Sequence, residues 1–168
     1  MVANTSIRIA AAQYDIGFLR NWHTYRAKVE QWVAAAVAVR AWALEHPHEY
    51  ALLYGTPVPG YEAPVDTVDP GTRVSRLLVG IVHEAGVDAT AISAPRLSRE
   101  LRAELRHTVD EVAPGMPVEV FFAALVAWTQ LFGLISFELF GRINRALPHR
   151  DEYFDHQIGL MADLVGLP

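Results

Sequence analysis

From Val120 to Phe137 the chain runs 18 residues without a charge, and charges resume on either side at Glu119 and Glu138. A stretch this apolar has to be covered, because apolar surface left in water forgoes roughly 25 cal/mol of stabilisation per Å². Its length reaches the lower limit for a membrane-spanning helix, about 18 residues. Thr129, Gln130, Gly133 and Ser136 interrupt it, however, and neither a basic flank nor an aromatic belt accompanies it. The reading is therefore a helix, Val118 to Phe140, buried in protein, with no membrane partner.

At about 100° per residue, Phe121, Leu125, Trp128, Phe132, Ile135 and Leu139 gather on one side of that helix, which is the expected core face. Ala123, Val126, Gln130, Phe137 and Gly141 lie roughly opposite, with Gly133 at the edge, and this second surface is flatter and still mostly apolar. A helix apolar all round needs neighbours all round, and a single domain of this size covers one face more readily than two. A two-fold homodimer is expected, built from this helix and the one that follows it. Its interface would draw on Ala123, Val126, Gln130, Gly133 and Phe137, and on Phe154, Ile158 and Met161 of the final helix.

The remaining sequence shows three- and four-residue apolar spacing and no sustained strand-like alternation. Helices are expected from Asn21 to Glu45, from Pro47 to Tyr54, from Pro70, with the Asp69 carboxylate as its cap, as far as Gly86, from Leu97 to Val112, and from Asp151 to Leu164. Thr56 to Asp69, with Pro57, Pro59, Gly60 and Pro64, reads as a loop. The fold class is all-α with about six main helices. Residues 1–20 form an N-terminal segment of no assigned structure, and 21–168 form one domain.

Composition narrows the function. A formal charge of -5 and scattered arginines do not make a surface that holds nucleic acid through phosphate contacts. The absence of cysteine removes thiol nucleophiles, disulfides and cysteine-ligated zinc, and together with an N-terminus unlike a signal peptide it suits the cytoplasm. His46 and His48 flank Pro47, and His149 and His156 stand seven residues apart, so neither pair has a zinc-site spacing. No catalytic motif is present, and Asp110-Glu111 and Asp151-Glu152 read as solvated or helix-end charges. No catalytic residue, cofactor or metal is expected.

Two stretches carry a resemblance. Ala41-Trp42-Ala43-Leu44-Glu45-His46-Pro47, continuing through Tyr50 to Leu53-Tyr54-Gly55-Thr56-Pro57-Val58-Pro59-Gly60-Tyr61, and Ala127-Trp128-Thr129-Gln130-Leu131-Phe132-Gly133-Leu134-Ile135-Ser136-Phe137-Glu138-Leu139, are similar to the C-terminal domains of TetR-type transcriptional regulators. The similarity is to a subgroup named for a Trp, His and Gly pattern in its dimerisation helix. Phe132 stands where that subgroup carries His, so no polar role passes to that position. The resemblance spans roughly Trp22 to the C-terminus. It implies a helical domain that binds a hydrophobic small molecule and dimerises through its last two helices in a four-helix bundle. Trp42, Tyr50, Tyr54, His83, Phe121, Leu125, Trp128 and Phe132 are the residues such a pocket would draw together, apolar with a few polar groups to orient the ligand. The family's helix-turn-helix unit precedes the region matching Trp22, and too few residues stand before it here to form one. DNA would then be reached only through a domain this chain does not contain. Two alternatives accompany this reading: a standalone ligand-binding or dimerising protein that does not contact DNA, and a small helical enzyme.

Overall fold

The computed structural model describes residues 22–55, 60, 68–93 and 95–167, and every regular element among them is helical. The order is α1 (Trp22–Glu45), α2 (Pro47–Tyr54), α3 (Val68–Ala85), a 3₁₀ turn (Ala89–Ala91), α4 (Arg99–Val112), α5 (Val118–Leu139) and α6 (Arg150–Leu164). The N-terminal segment 1–20 and most of the expected loop from Thr56 to Asp69 lie outside the described residues, as does the capping role expected of the Asp69 side chain. α3 starts at Val68, two residues before the expected start at Pro70, which still leaves Pro70 in the first turn, where its missing N–H costs no helical hydrogen bond. α4 starts two residues later than its apolar spacing suggests, because Ser98 caps it by accepting a hydrogen bond from the Leu101 N–H at 3.1 Å.

α5 is the axis of the domain, in contact with α1, α3, α4, α6 and the 3₁₀ turn. It is the one helix among the described residues long and apolar enough to cross a membrane, and here it is packed within its own chain. Its buried face carries Val120, Ala124, Ala127, Leu131, Ile135 and Glu138. That stripe lies about a quarter turn from the expected core face. Leu125, Trp128, Phe132 and Leu139 are only half-buried, whereas Ile135 belongs to both sets and Phe121, beside the stripe, is buried as well. The four helices around α5 set its rotation, and a helix apolar on nearly every side gives the sequence little with which to choose.

On α1, Lys28, Trp32, Ala36, Val39 and Ala43 form the buried stripe at steps of three and four, while the apolar residues Val33, Val37 and Leu44 are exposed. Lys28 is enclosed completely and its ammonium donates to Glu84 of α3 and to Gln31, which pairs the charge. On α6 the stripe Phe154, Ile158 and Met161 is buried inside the same chain, and so is Ala123 of α5. These four residues, expected at a dimer interface, are core residues that a second copy cannot reach. Beside this stripe α6 carries Tyr153, Gln157 and Leu164 half-buried and Leu160 exposed.

The chain closes through a tight C-terminal cap. Gly166 takes a left-handed φ of 76°, while its N–H reaches the Asp163 carbonyl at 3.0 Å and the Leu167 N–H reaches that of Ala162 at 2.8 Å. This turn tucks Val165 and Leu167 into the core, and the backbone of Gly166 lies against Val87 and Ile92. A Cβ here would stand 2.6 Å from Val87 Cγ1, on a backbone that L side chains rarely adopt. Gly166→Ala is expected to destabilise the fold by about 2 kcal/mol or more, read as a lower urea midpoint at unchanged m-value.

Candidate functional site

α2 begins with proline at its first position and closes where the Gly55 N–H meets the Ala51 carbonyl at 2.9 Å. Within this short helix Tyr50 and Tyr54 are four residues apart and share a face, with ring centroids at 5.1 Å. Trp128 and Phe132 have the same spacing on α5, with centroids at 5.9 Å. The two pairs meet: Tyr54 lies 4.5 Å from Phe132, tilted, and Tyr50 stacks on Phe132 at 6.3 Å. Tyr50 is enclosed, and its hydroxyl donates to the Phe132 carbonyl at 3.0 Å and lies 2.9 Å from Ser136 Oγ. Tyr54, Trp128 and Phe132 are half-buried and keep some ring surface open.

Four of the eight residues expected around a pocket therefore form one aromatic cluster, and among the described residues no ring contact brings Trp42, His83 or Phe121 into it. Trp42 stacks on His46 at 5.6 Å near the end of α1, and no ring contact joins it to the cluster among the described residues. His83 is exposed on α3. Phe121 is buried, but eleven residues before Phe132 on the same helix, about 16 Å along its axis. Leu125 is half-buried two turns before Phe132. Of the eight expected dimer-interface residues, Val126 and Gln130 are half-buried and Gly133 and Phe137 exposed, while the remaining four are the core residues named above. Gln130 already donates to Gln157 Oε1 across the α5–α6 contact, at 2.8 Å.

A second constellation was not anticipated from the sequence. Arg40 of α1 grips Glu138 of α5 with two parallel hydrogen bonds, Nε to Oε2 at 2.7 Å and Nη2 to Oε1 at 2.6 Å. The same Nη2 reaches Asp151 Oδ1 of α6 at 2.7 Å, and the guanidinium lies 4.6 Å over the Phe154 ring. The hydrogen bond that Arg40 donates to Glu138 is the largest influence on its guanidinium, raising its pKa well above the ordinary range. Burial opposes it, and the Asp151 hydrogen bond and both carboxylate charges assist. Arg150 brings Nε to 3.7 Å from Glu138 Oε1, an ionic contact too long for a hydrogen bond. A cleft of about 390 Å³ opens beside these groups and takes in Leu44, Leu139, Asn144 and Pro148 as well. A second hollow, about 440 Å³, lies along Val29, Val33 and Val37 of α1. Neither includes any of the eight expected pocket residues. The available sequence signal was Glu138 itself, the first charge after 18 neutral positions and in step with Leu131 and Ile135 on the buried stripe.

Burial raises the pKa of both Tyr50 and Tyr54, for Tyr50 against a smaller opposing effect of the Ser136 hydrogen bond. An acid whose folded-state pKa is raised contributes stability that is intact below its unfolded pKa, about 10 for tyrosine, and is lost as the pH climbs through the folded value. The urea midpoint is expected to fall above about pH 10, and a Tyr50→Phe, Tyr54→Phe double variant to show a shallower fall. At neutral pH Tyr50→Phe alone costs about 1 kcal/mol, because it strips the hydrogen bonds to Phe132 and Ser136.

Comparison with known proteins agrees with this architecture. Residues 32–161 match the family model described as the tetracyclin repressor-like C-terminal domain. The chain is 35% identical over 140 residues to the HTH-type transcriptional regulators Mb1846 of Mycobacterium bovis and Rv1816 of Mycobacterium tuberculosis, an alignment covering 79% of this chain and 58% of each relative. It thus spans less than two thirds of the length of these relatives. Among solved structures, the regulatory protein SCO4313 superposes with a TM-score of 0.59 at 28% identity, covering 83% of this chain and 68% of that one. Six helices among the described residues, with α5 at their axis, and a family match over most of the sequence lead to one conclusion: the chain belongs to the tetracyclin repressor-like C-terminal domain family, the regulatory domain of TetR-type transcriptional regulators.

Proposed function

We propose that this chain senses a hydrophobic small molecule and pairs with a second copy of itself, so that effector binding controls a DNA-binding unit lying outside the helices described. The observation that carries the effector reading is the meeting of two aromatic pairs, Tyr50 with Tyr54 and Trp128 with Phe132, between α2 and α5. Half-buried rings offer an effector flat apolar surface on which to stack, and the Tyr54 hydroxyl offers a polar handle. On this reading the chain binds its effector and does not turn it over. The relatives' name, HTH-type regulator, supports DNA as the eventual partner through the helix-turn-helix that the name describes.

The pairing surface follows from what α5 and α6 leave uncovered. The two helices run antiparallel, since Gln130 meets Gln157 while the later Glu138 meets the earlier Arg150. Val126, Gln130, Gly133 and Phe137 then line up beside Tyr153, Gln157, Leu160 and Leu164 as one apolar face. Phe137 is 56% exposed and Leu160 59% exposed, and a Cβ added at Gly133 or Gly159 would meet nothing within 4 Å. Bare glycines and large exposed side chains on adjacent helices suit the close approach of a second helix pair.

Light scattering at micromolar concentration should give twice the chain mass, and a Phe137→Glu, Leu160→Glu double variant should give a helical monomer. A monomeric parent chain would remove the pairing half of the proposal. For the effector half, a broad apolar library read by tryptophan fluorescence and thermal shift should yield ligands that stabilise the parent chain. The same ligands should bind Tyr54→Ala and Phe132→Ala at least about tenfold more weakly.

A further inference from the structure

We infer that the cleft between α1, the α5–α6 connection and the first turn of α6 is a binding site for a small organic anion, a carboxylate carried on a short apolar body. This site is separate from the aromatic cluster and does not rest on the effector reading given above.

The floor of the cleft is a closed ion pair. Both Glu138 oxygens are taken by Arg40, and the Glu138 side chain is only 8% exposed. The planar guanidinium is further fixed by the Phe154 ring beneath it. That unit is neutral, rigid and nearly dry, and one edge is left over: among the described residues Arg40 Nη1 makes no hydrogen bond. Over this floor sits Asp151, which is 91% exposed and holds Arg40 by a single oxygen on an Nη2 already shared with Glu138. A carboxylate so exposed loses little by returning to water. Arg150 stands at the rim with its guanidinium 3.7 Å from Glu138, a contact too long for a hydrogen bond, and Asn144 lines the same space.

Donors thus outnumber acceptors. Two guanidinium groups and an amide line a cleft whose one buried carboxylate is fully engaged and whose other is displaceable. A cation entering here would find both Glu138 oxygens occupied and two arginines beside it, which argues against a positively charged ligand. A carboxylate fits: it takes the place of Asp151 on the outer edge of Arg40 and accepts from Arg150 as well, in the planar geometry that arginine favours. Leu44, Leu139 and Pro148 line the remainder, and the volume of about 390 Å³ is in the range of small-molecule sites. The apolar body of the ligand would rest on those three side chains.

Titration calorimetry on the whole chain with 4-phenylbutyrate and its neutral analogue 4-phenylbutanamide tests the assignment. The acid is expected to bind at least about tenfold more tightly than the amide, consistent with charge-assisted hydrogen bonds. Arg150→Gln should weaken the acid about tenfold, while Asp151→Asn should tighten it severalfold by removing the competing carboxylate. Both positions lie at the rim, and circular dichroism would verify that each variant keeps its helical content. Equal binding of acid and amide, an unchanged affinity in Arg150→Gln, or unchanged or weaker binding in Asp151→Asn would each overturn the site. Loss of acid binding in Tyr54→Ala or Phe132→Ala would place the ligand at the aromatic cluster and overturn it equally, whereas unaltered binding in those variants separates the two sites.

Discussion

Glu138 is the point at which an almost wholly apolar helix has to bury a charge. It lies in the last turn of α5, where the partial negative charge of the helix end disfavours a carboxylate, so burial there requires a cation held in fixed geometry. Arg40 supplies it in bidentate form, and Asp151 extends the contact to α6. Such a pair adds little net stability over well-packed apolar side chains, because desolvation offsets most of its attraction. Its effect is directional. Apolar faces tolerate small rotations and slides, whereas two parallel hydrogen bonds at 2.6 and 2.7 Å do not, and they fix α1 and α5 against one another at a single place.

The rotation of α6 follows from that anchor. With Arg40 over the Phe154 ring and Gln130 bonded to Gln157, the helix is pinned near its start and again a turn later. Phe154, Ile158 and Met161 then point inward, which leaves Tyr153, Gln157 and Leu164 half-buried at their side and Leu160 exposed. The side of α6 beside Gln130 is in this sense a consequence of the buried pair.

The helices themselves were legible in the sequence because their signals are local: Pro47 at a first position, Gly55, Gly86 and Pro114-Gly115 at stops, and apolar spacing between them. Their rotations were not. On α5 residues of similar hydrophobicity occupy nearly every side, so neighbours and not composition decide which stripe is buried, and the true stripe lies about a quarter turn from the one that aromatic size suggests. On α6 two adjacent apolar stripes differ by one residue, and the inward one was assigned to the dimer surface. The aromatic cluster was half legible. Each pair shows as a four-residue spacing, but that Tyr50 and Tyr54 face Trp128 and Phe132, and that Trp42, His83 and Phe121 do not, depends on where α2 docks along α5. The Arg40–Glu138 pair spans 98 positions, and no local pattern links residues so far apart.

The geometry also joins the aromatic cluster to the polar cleft. α2 begins at Pro47, two residues after α1 ends at Glu45, so Arg40 on one helix and Tyr50 on the next grip the same stretch of α5, from Phe132 through Ser136 to Glu138. A shift of that stretch would strain Tyr50's hydrogen bonds and Arg40's together. α1 is held at its other end by Lys28 against Glu84 of α3, so it is tied near both ends by buried or half-buried charge contacts. A ligand at either place alters this arrangement only by the difference in its affinity for two positions of α1 on α5. Because interdigitated cores resist continuous deformation, any such response must come as a change of register and not as gradual bending.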